Sequence, residues 1–254
     1  MQIFTDLNEW RRVRQTISHE TSIGFVPTMG NLHQGHMSLY ATSMNANEQT
    51  VASIFINPTQ FDKKNDFIRY PKTLDADLEM LSAQGVHYCL LPDESSMYAD
   101  DYRYQIQEQH LCQLMEGRQR PGHFTGVLTV VMKLLNLVKP NRAYFGEKDY
   151  QQLLLIREMV NSFFMDLDII GCPIIREPSG LAYSSRNNRL NAEQRQLAEK
   201  FARIFHESET KEHMLQHLAN EPIAIEYVEE HFNRRFTAVT IDDIRLIDNY
   251  ALNE

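Results

Sequence analysis

Apolar runs of strand length recur along this chain at residues 23–26, 51–56, 86–91, 142–145 and 167–170, and helix-patterned segments separate several of them. Strands joined through helices cannot form tight hairpins, so the alternation predicts an α/β fold with a mostly parallel sheet and helices on both faces. Some helices can be placed from their ends. Leu74, Leu78 and Leu81 share one helical face, with Thr73 as the expected N-cap and Gly85 just past the end. From Thr125 to Lys139 the chain is apolar nearly all round and stops before Pro140, the mark of a buried central helix.

Open sheets of this kind bind ligands at the carboxyl ends of their strands, and the unusual residues cluster there. Pro27-Thr28-Met29-Gly30 follows the first run, Asn57-Pro58-Thr59-Gln60 the second and Gly146-Glu147-Lys148-Asp149 the fourth. Seven of the ten glycines, at 30, 35, 122, 126, 146, 171 and 180, fall in or beside these segments and their downstream relatives, which reads as backbone making way for a ligand. The first segment continues as Asn31-Leu32-His33-Gln34-Gly35-His36. A helix starting here offers its positive end to a phosphate, and His33 and His36, at i and i+3 on one face or edge, can donate to phosphate oxygens. The same pair also reads as a metal pair or as two surface histidines. Zinc would need further ligands, and Cys89, Cys112 and Cys172 are scattered without a C-x-x-C.

Lys148, between Glu147 and Asp149 at a strand end, can neutralise phosphate while Asp149 accepts ribose hydroxyls or orients water around a metal; the plain alternative is a solvated helix start. The amides of Gln151 and Gln152 can donate to and accept from a polar substrate. Ser184-Ser185-Arg186 puts two hydroxyls and a guanidinium on a loop, a set that suits a triphosphate but also occurs in linkers. Asn57 and Gln60 can bind a small substrate, or Asn57-Pro58 can simply turn the chain. Arg118, Arg120 and His123 flank Pro121-Gly122 and offer a further anionic site or a subunit contact. G-x-S-x-G and G-x-x-x-x-G-K-[ST] are both absent from the sequence, which leaves transfer by charge stabilisation rather than through a covalent enzyme intermediate.

The class of protein follows from composition. A chain of 254 residues, 43% hydrophobic, can bury an ordinary core, and an odd number of dispersed cysteines fits a reducing cytoplasm. The net charge of −9 disfavours nucleic acid as a partner. The opening Met1-Gln2-Ile3-Phe4-Thr5-Asp6 lacks signal-peptide features, and the longest apolar run, residues 127–138, is interrupted by Lys133 and Asn136, well short of the roughly 20 residues of a membrane span. A soluble cytoplasmic protein without a membrane partner is expected. Residues 171–190, with two prolines and two glycines, leave the sheet and lead to a second unit. There Asn191 with Gln194 resembles a capping box, and the remainder reads as helices followed by a short strand pair around Phe236 to Ile247.

Five motifs occur in order: Val26-Pro27-Thr28-Met29-Gly30 with His33-Gln34-Gly35-His36; Ser53-Ile54-Phe55-Ile56-Asn57-Pro58-Thr59-Gln60-Phe61; Arg120-Pro121-Gly122-His123-Phe124; Phe145-Gly146-Glu147-Lys148-Asp149-Tyr150-Gln151-Gln152; and Gly180-Leu181-Ala182-Tyr183-Ser184-Ser185-Arg186-Asn187. Together they resemble the pantothenate synthetases, the pantoate:β-alanine ligases of the nucleotidylyltransferase superfamily, and Arg245-Leu246-Ile247-Asp248-Asn249 resembles the family's terminal segment. The resemblance implies a Rossmann-like parallel sheet over residues 1–175, binding nucleotide and pantoate, and a small C-terminal α+β lid over 176–254. That lid reads as shortened between Ala219 and Arg245, with Ile241-Asp242-Asp243-Ile244 where a small-residue, glycine-containing strand end is usual.

The implied reaction has two steps: pantoate and Mg²⁺-ATP give pantoyl adenylate and pyrophosphate, then β-alanine displaces AMP to give pantothenate, on the way to coenzyme A. By the same resemblance His33, His36 and Lys148 are catalytic. Met29, Gly30, His33, Gly35, His36, Gly146, Glu147, Lys148, Asp149, Ile175, Tyr183, Ser184, Ser185 and Arg186 would bind ATP. Gln60 and Gln152 would bind pantoate, and Gln60 also β-alanine. A homodimer is implied, and the metal ligands are not. The rival readings are another adenylyl-transferring enzyme and a catalytically silent nucleotide-binding protein.

Overall fold

The computed structural model describes residues 1–62 and 64–252. Its contacts group into two compact units: Met1–Leu32, His36–Glu147 and Gln151–Cys172 form the first, and His33–Gly35, Lys148–Tyr150 and Pro173–Glu254 the second.

In the first unit six strands run parallel: β1 (Gln2–Phe4), β2 (Ile23–Thr28), β3 (Gln49–Ile54), β4 (Tyr88–Leu90), β5 (Arg142–Gly146) and β6 (Asp168–Cys172). They lie in the order β1-β4-β3-β2-β5-β6. The helices are α1 (Leu7–Thr16), α2 (Gln34–Ala46), α3 (Lys64–Ile68), α4 (Leu74–Gln84), α5 (Glu94–Met97), α6 (Met115–Gln119), α7 (His123–Val138) and α8 (Tyr150–Ser162). On one face of the sheet Leu39 and Tyr40 of α2 and Leu81 of α4 close over Val26, Ala52, Ile54, Cys89, Tyr144 and Cys172. Phe25, Val51, Leu90, Ala143 and Phe145, of the opposite parity, are buried as well. There α1 and α7 supply the second layer: Trp10 meets Phe4 edge to face at 5.4 Å, and its indole N–H donates to Leu137 O. The parallel sheet with helices on both faces is therefore present.

The details depart from the sequence pattern in three places. β1 was not anticipated: it has three residues, with Ile3 exposed and Phe4 buried, too short a run to show alternation. α7 begins at His123, two residues early, because Gly122 at φ 83 serves as its N-cap. Thr73 precedes α4 but makes no capping bond to the helix backbone; its hydroxyl goes instead to Asp77 Oδ2 at 3.2 Å. Gly85 does close that helix in the left-handed region.

The second unit has its own core. α9 (Ala192–Glu207) opens with the reciprocal Asn191–Gln194 capping box, and α10 (Lys211–Leu218) follows. The expected strand pair is in fact a three-stranded antiparallel sheet, β7 (Ala224–His231), β8 (Arg234–Ile241) and β9 (Ile244–Ala251). The segment that reads as shortened is thus fully used: Phe232-Asn233, both at φ 53, and Asp242-Asp243, with Asp242 at φ 51, are two-residue turns between the strands. Phe201 and Phe205 of α9 and Met214 and Leu218 of α10 pack on Val228, Val239, Ile241 and Leu246.

Gly126 of α7 lets that helix meet the 3₁₀ turn Pro58–Gln60, since a Cβ there would lie 2.5 Å from Thr59 O and 2.8 Å from Gln60 N. A backbone neighbour cannot rotate away. Gly126→Ala should therefore destabilise the fold by about 1–3 kcal/mol, the usual cost of overpacking, read as a lower midpoint in urea.

Candidate active site

Strand order reverses beside β2: β3 and β4 lie to one side, β5 and β6 to the other. Such a reversal opens a crevice at the carboxyl ends of the two central strands. Here those ends are Thr28, leading into Met29 and Gly30, and Gly146, leading into Glu147.

In the first unit the β2 turn is built around a buried acid. Gly30 (φ 79) and Asn31 (φ 50) are both left-handed, and the Asn31 and Leu32 N–H groups each donate to the Asp77 carboxylate at 2.8 Å. A Cβ on Gly30 would come within 2.9 Å of Asp77 Oδ2. Asp77 is 2% exposed, so it spends its charge on this turn rather than on solvent. Behind the turn lies a cavity of ≈ 460 Å³ bounded by residues that include Met29, Gly30, Ile54, Thr73, Asp77 and Leu91. Sequence reading missed Asp77, whose only signal was an acidic residue on the buried side of an amphipathic helix.

Gln60 and Met29 meet: the Gln60 amide donates to Met29 Sδ at 2.9 Å, and its oxygen accepts from Asn57 Nδ2 at 3.1 Å. Asn57, 1% exposed, is oriented in turn by the Tyr98 hydroxyl, which donates to Asn57 Oδ1 at 2.6 Å. Burial pushes that phenol up to about 12, so it stays a donor at any physiological pH. The Gln60 carbonyl accepts from Arg120 at 3.3 Å and lies 2.7 Å from His123 Nδ1. Arg120 also pairs with Asp62 at 3.0 Å. The Arg120 and His123 cluster that suggested an anionic site thus grips the Gln60 backbone.

The two glutamines of α8 part company. Gln151, 3% exposed, spends its amide on Leu111 O and Leu114 O and its oxygen on Glu116 N. It is a structural staple, not a substrate ligand, while Gln152 next to it is only half-buried. The glycines divide similarly. Gly126 and Gly171 serve close packing, Gly171 against Leu153 and Arg157 of α8. Burial pushes the Cys89 thiol up to about 12, which removes it as a nucleophile.

In the second unit His33 precedes α2 instead of sharing a helical face with His36, which lies in its first turn. Its ring stacks on Tyr183 at 6.0 Å with 23° between planes, and a Cβ on Gly35 would fall 3.0 Å from that imidazole. A hairpin brings two further expected residues together: Arg176 bridges Ala182, and Tyr183 N donates to Ile175 O at 3.1 Å. Ser184 is not on an irregular loop; it caps the 3₁₀ turn Ser185–Arg189 by accepting from Arg186 N. Asn187 ties turn to hairpin, donating to Glu177 Oε1 at 2.8 Å and Ala182 O at 3.0 Å. Lys148 and Asp149 lie in the 3₁₀ turn Glu147–Asp149, and the Lys148 carbonyl accepts from Asn249 Nδ2 at 2.9 Å. Asn187 and Asn249 stand in quoted motifs but were given no role, because their partners are fixed by the fold and not by spacing.

Removing the Asp77 carboxylate leaves two buried backbone donors without an acceptor. Asp77→Ala should cost about 1–3 kcal/mol and speed hydrogen exchange at the Asn31 and Leu32 amides; unchanged protection there would show that the turn holds without it.

Comparison with known proteins adds independent findings. Residues 2–251 match the family model described as pantoate-beta-alanine ligase. The chain is 59% identical over 252 residues to a pantothenate synthetase of Legionella pneumophila (strain Corby), covering 99% of this chain and 100% of that protein. A pantothenate synthetase of Coxiella burnetii (strain Dugway 5J108-111) is 50% identical over 248 residues, 98% of this chain and 96% of that one. Among solved structures, the pantoate-beta-alanine ligase of Francisella tularensis, complexed with beta-gamma ATP and beta-alanine, superposes with a TM-score of 0.96 at 39% identity, over 99% of this chain and 97% of that one. The pantothenate synthetase of Thermus thermophilus gives 0.93 at 35% identity over the full length of both.

Proposed function

The chain belongs to the pantoate-beta-alanine ligase family, and on that premise we propose that it condenses pantoate with β-alanine at the expense of ATP through a pantoyl adenylate. It is an ATP-dependent enzyme of pantothenate synthesis. In the first step a pantoate carboxylate oxygen attacks the α-phosphorus and the bond to the β-phosphate oxygen breaks, releasing pyrophosphate. In the second, the β-alanine amine attacks the acyl carbon, the bond to AMP breaks and the amine gives up a proton. The first step brings two anions together, so charge stabilisation is the catalytic task.

The residue roles follow from that task. His33 and His36 stand at the positive end of α2 and stabilise charge on the transferring phosphate. Lys148 neutralises phosphate, Asp149 accepts the ribose hydroxyls, and Gly146, Glu147, Met29, Gly30 and Gly35 line the nucleotide. Ile175, Tyr183, Ser184, Ser185 and Arg186 complete the ATP set. Gln60 and Gln152 bind pantoate, with Gln60 also beside β-alanine, in a neutral polar pocket suited to a hydroxy acid. The observation that carries the reading is the run of hydrogen bonds from Tyr98 through Asn57 and Gln60 to the Met29 sulfur, which ends on two residues read as ligands of different reactants.

Mg²⁺ is proposed as the counter-ion that arrives with ATP. Among the described residues no group of three His, Cys, Asp or Glu could hold a metal, so phosphate oxygens would be its main ligands. The same reading makes residues 1–175 the nucleotide- and pantoate-binding domain, residues 176–254 a lid that shields the adenylate from water, and the enzyme a cytoplasmic homodimer. No helix among the described residues is long and apolar enough to cross a membrane.

The adenylate is directly testable. ATP, pantoate and Mg²⁺ should support pyrophosphate exchange without β-alanine, and well-folded protein that shows none would remove the adenylate route. Lys148→Ala should keep the fold and lose about 10²- to 10³-fold in kcat, the scale for one preorganised charge stabiliser; wild-type turnover would take Lys148 out of the mechanism.

A further inference from the structure

Arg245-Leu246-Ile247-Asp248-Asn249 is among the motifs above, yet none of its side chains has a part in the reaction as written. It forms most of β9, in which Asp248 and Asn249 are 3% and 1% exposed. The Asn249 amide donates to the Lys148 carbonyl at 2.9 Å while its oxygen accepts from Arg234 Nε at 2.9 Å. The Arg234 guanidinium lies over the Tyr150 ring, 4.2 Å from its centroid. One side chain thus grips the segment 148–150 at its first residue and, through Arg234, covers it at its last.

Asp248 does the equivalent for the hairpin. Its oxygens accept from Arg176 at 2.7 and 2.9 Å, and one of them also takes the Asn249 N–H at 2.7 Å. Arg176 donates onward to Gly180 O at 3.0 Å and Asn249 O at 3.3 Å. Burial alone would push the Asp248 carboxyl up; His206 and Arg176 outweigh it and hold the group below its usual range, so it stays an anion.

We propose that Asn249 is a positioning residue for ATP, fixing the main chain of Lys148 and Asp149 through one hydrogen bond, with the Asp248–Arg176 pair fixing Ile175 and Tyr183 from the same dipeptide. The proposal rests on the reading of those four residues as nucleotide ligands. An amide suits the place: it donates to the Lys148 carbonyl from its nitrogen and accepts from Arg234 Nε at its oxygen, two functions held on separate atoms of one plane. A strand suits it too, because Asn249 is registered opposite Phe236 in a ladder that runs from Arg234 to Ile241 and cannot slip by one residue without inverting its faces.

The test is Asn249→Asp, which keeps the shape and the Arg234 partner but turns a charged oxygen toward the Lys148 carbonyl. A non-hydrolysable ATP analogue is titrated by calorimetry, and kcat and KM for all three substrates are measured in AMP formation, well below the melting temperature. The ATP KM and the analogue Kd should rise about tenfold, while the KM values for pantoate and β-alanine stay within about twofold. Folded Asn249→Asp with wild-type ATP KM and Kd overturns the proposal, and so does an equal loss for all three substrates or a lower Tm alone. If that variant does not fold, Asn249→Ala, which removes the bond to Lys148 without adding a charge, decides: a rise in analogue Kd of about tenfold supports the proposal and a wild-type Kd overturns it. Wild-type protein that binds the analogue but forms no AMP would count against the functional reading instead, since the calorimetric comparison stands without turnover.

Discussion

Parallel strands cannot be joined by tight turns, and the rest of the molecule follows from that constraint. Each strand of the six must return through a connection that includes a helix, so both faces of the sheet are covered and its inner strands are buried on both sides. Reversal of strand order beside β2 then leaves the ends of β2 and β5 as neighbours with their loops diverging. Polar residues can gather there without breaking the core. Phe25 and Val26, fully buried, hand over within four residues to the left-handed Gly30-Asn31 turn, whose backbone is held by Asp77.

The elements legible in the sequence are those whose signal is local. Runs of four to six residues marked β2, β3, β4, β5 and β6; Gly85 marked an end and Asn191 with Gln194 marked a beginning, because each acts on residues three or four positions away. What stayed hidden depends on partners distant in the chain. β1 is too short for periodicity and exists because it pairs with β4, more than eighty positions on. Gln151 looked like a ligand because an amide at a strand-to-helix junction can serve substrate or backbone equally well, and only the fold shows Leu111, Leu114 and Glu116 waiting for it. Thr73 looked like a cap for the same reason and was claimed by Asp77.

The candidate site was legible by residue type and motif order rather than by arrangement. His33, Lys148 and Arg186 are read from residue type as phosphate groups and Tyr183 from motif order alone, but the side chains that hold Asn57, the Gly30-Asn31 turn and the Lys148 carbonyl do not stand out. Tyr98, Asp77 and Asn249 are ordinary polar residues until their burial is known. A buried polar group left unpaired costs about 1–3 kcal/mol, and a satisfied one contributes only about 1, so such residues are poor stabilisers and good locators. Their value is geometric: a hydrogen bond in a low-dielectric interior fixes one orientation where an apolar contact tolerates several.

Both units solve the same problem in the same way. An irregular turn cannot commit all its N–H and C=O groups to a ladder or helix, and without other support it would be a loose element. In the first unit the Asp77 carboxylate takes the two N–H groups of Asn31 and Leu32; in the second the Asn249 amide takes the carbonyl of Lys148. The choice of residue follows the polarity of the orphan group: an anion for donors, an amide for an acceptor that must share its partner with a guanidinium. Each side chain comes from a regular element, α4 or β9, whose own backbone is already satisfied. Regular structure thereby lends its rigidity to irregular structure through one side chain. Electrostatic stabilisation of a developing phosphate charge requires groups that need not reorganise during the reaction, and an irregular segment meets that condition only when something regular holds it.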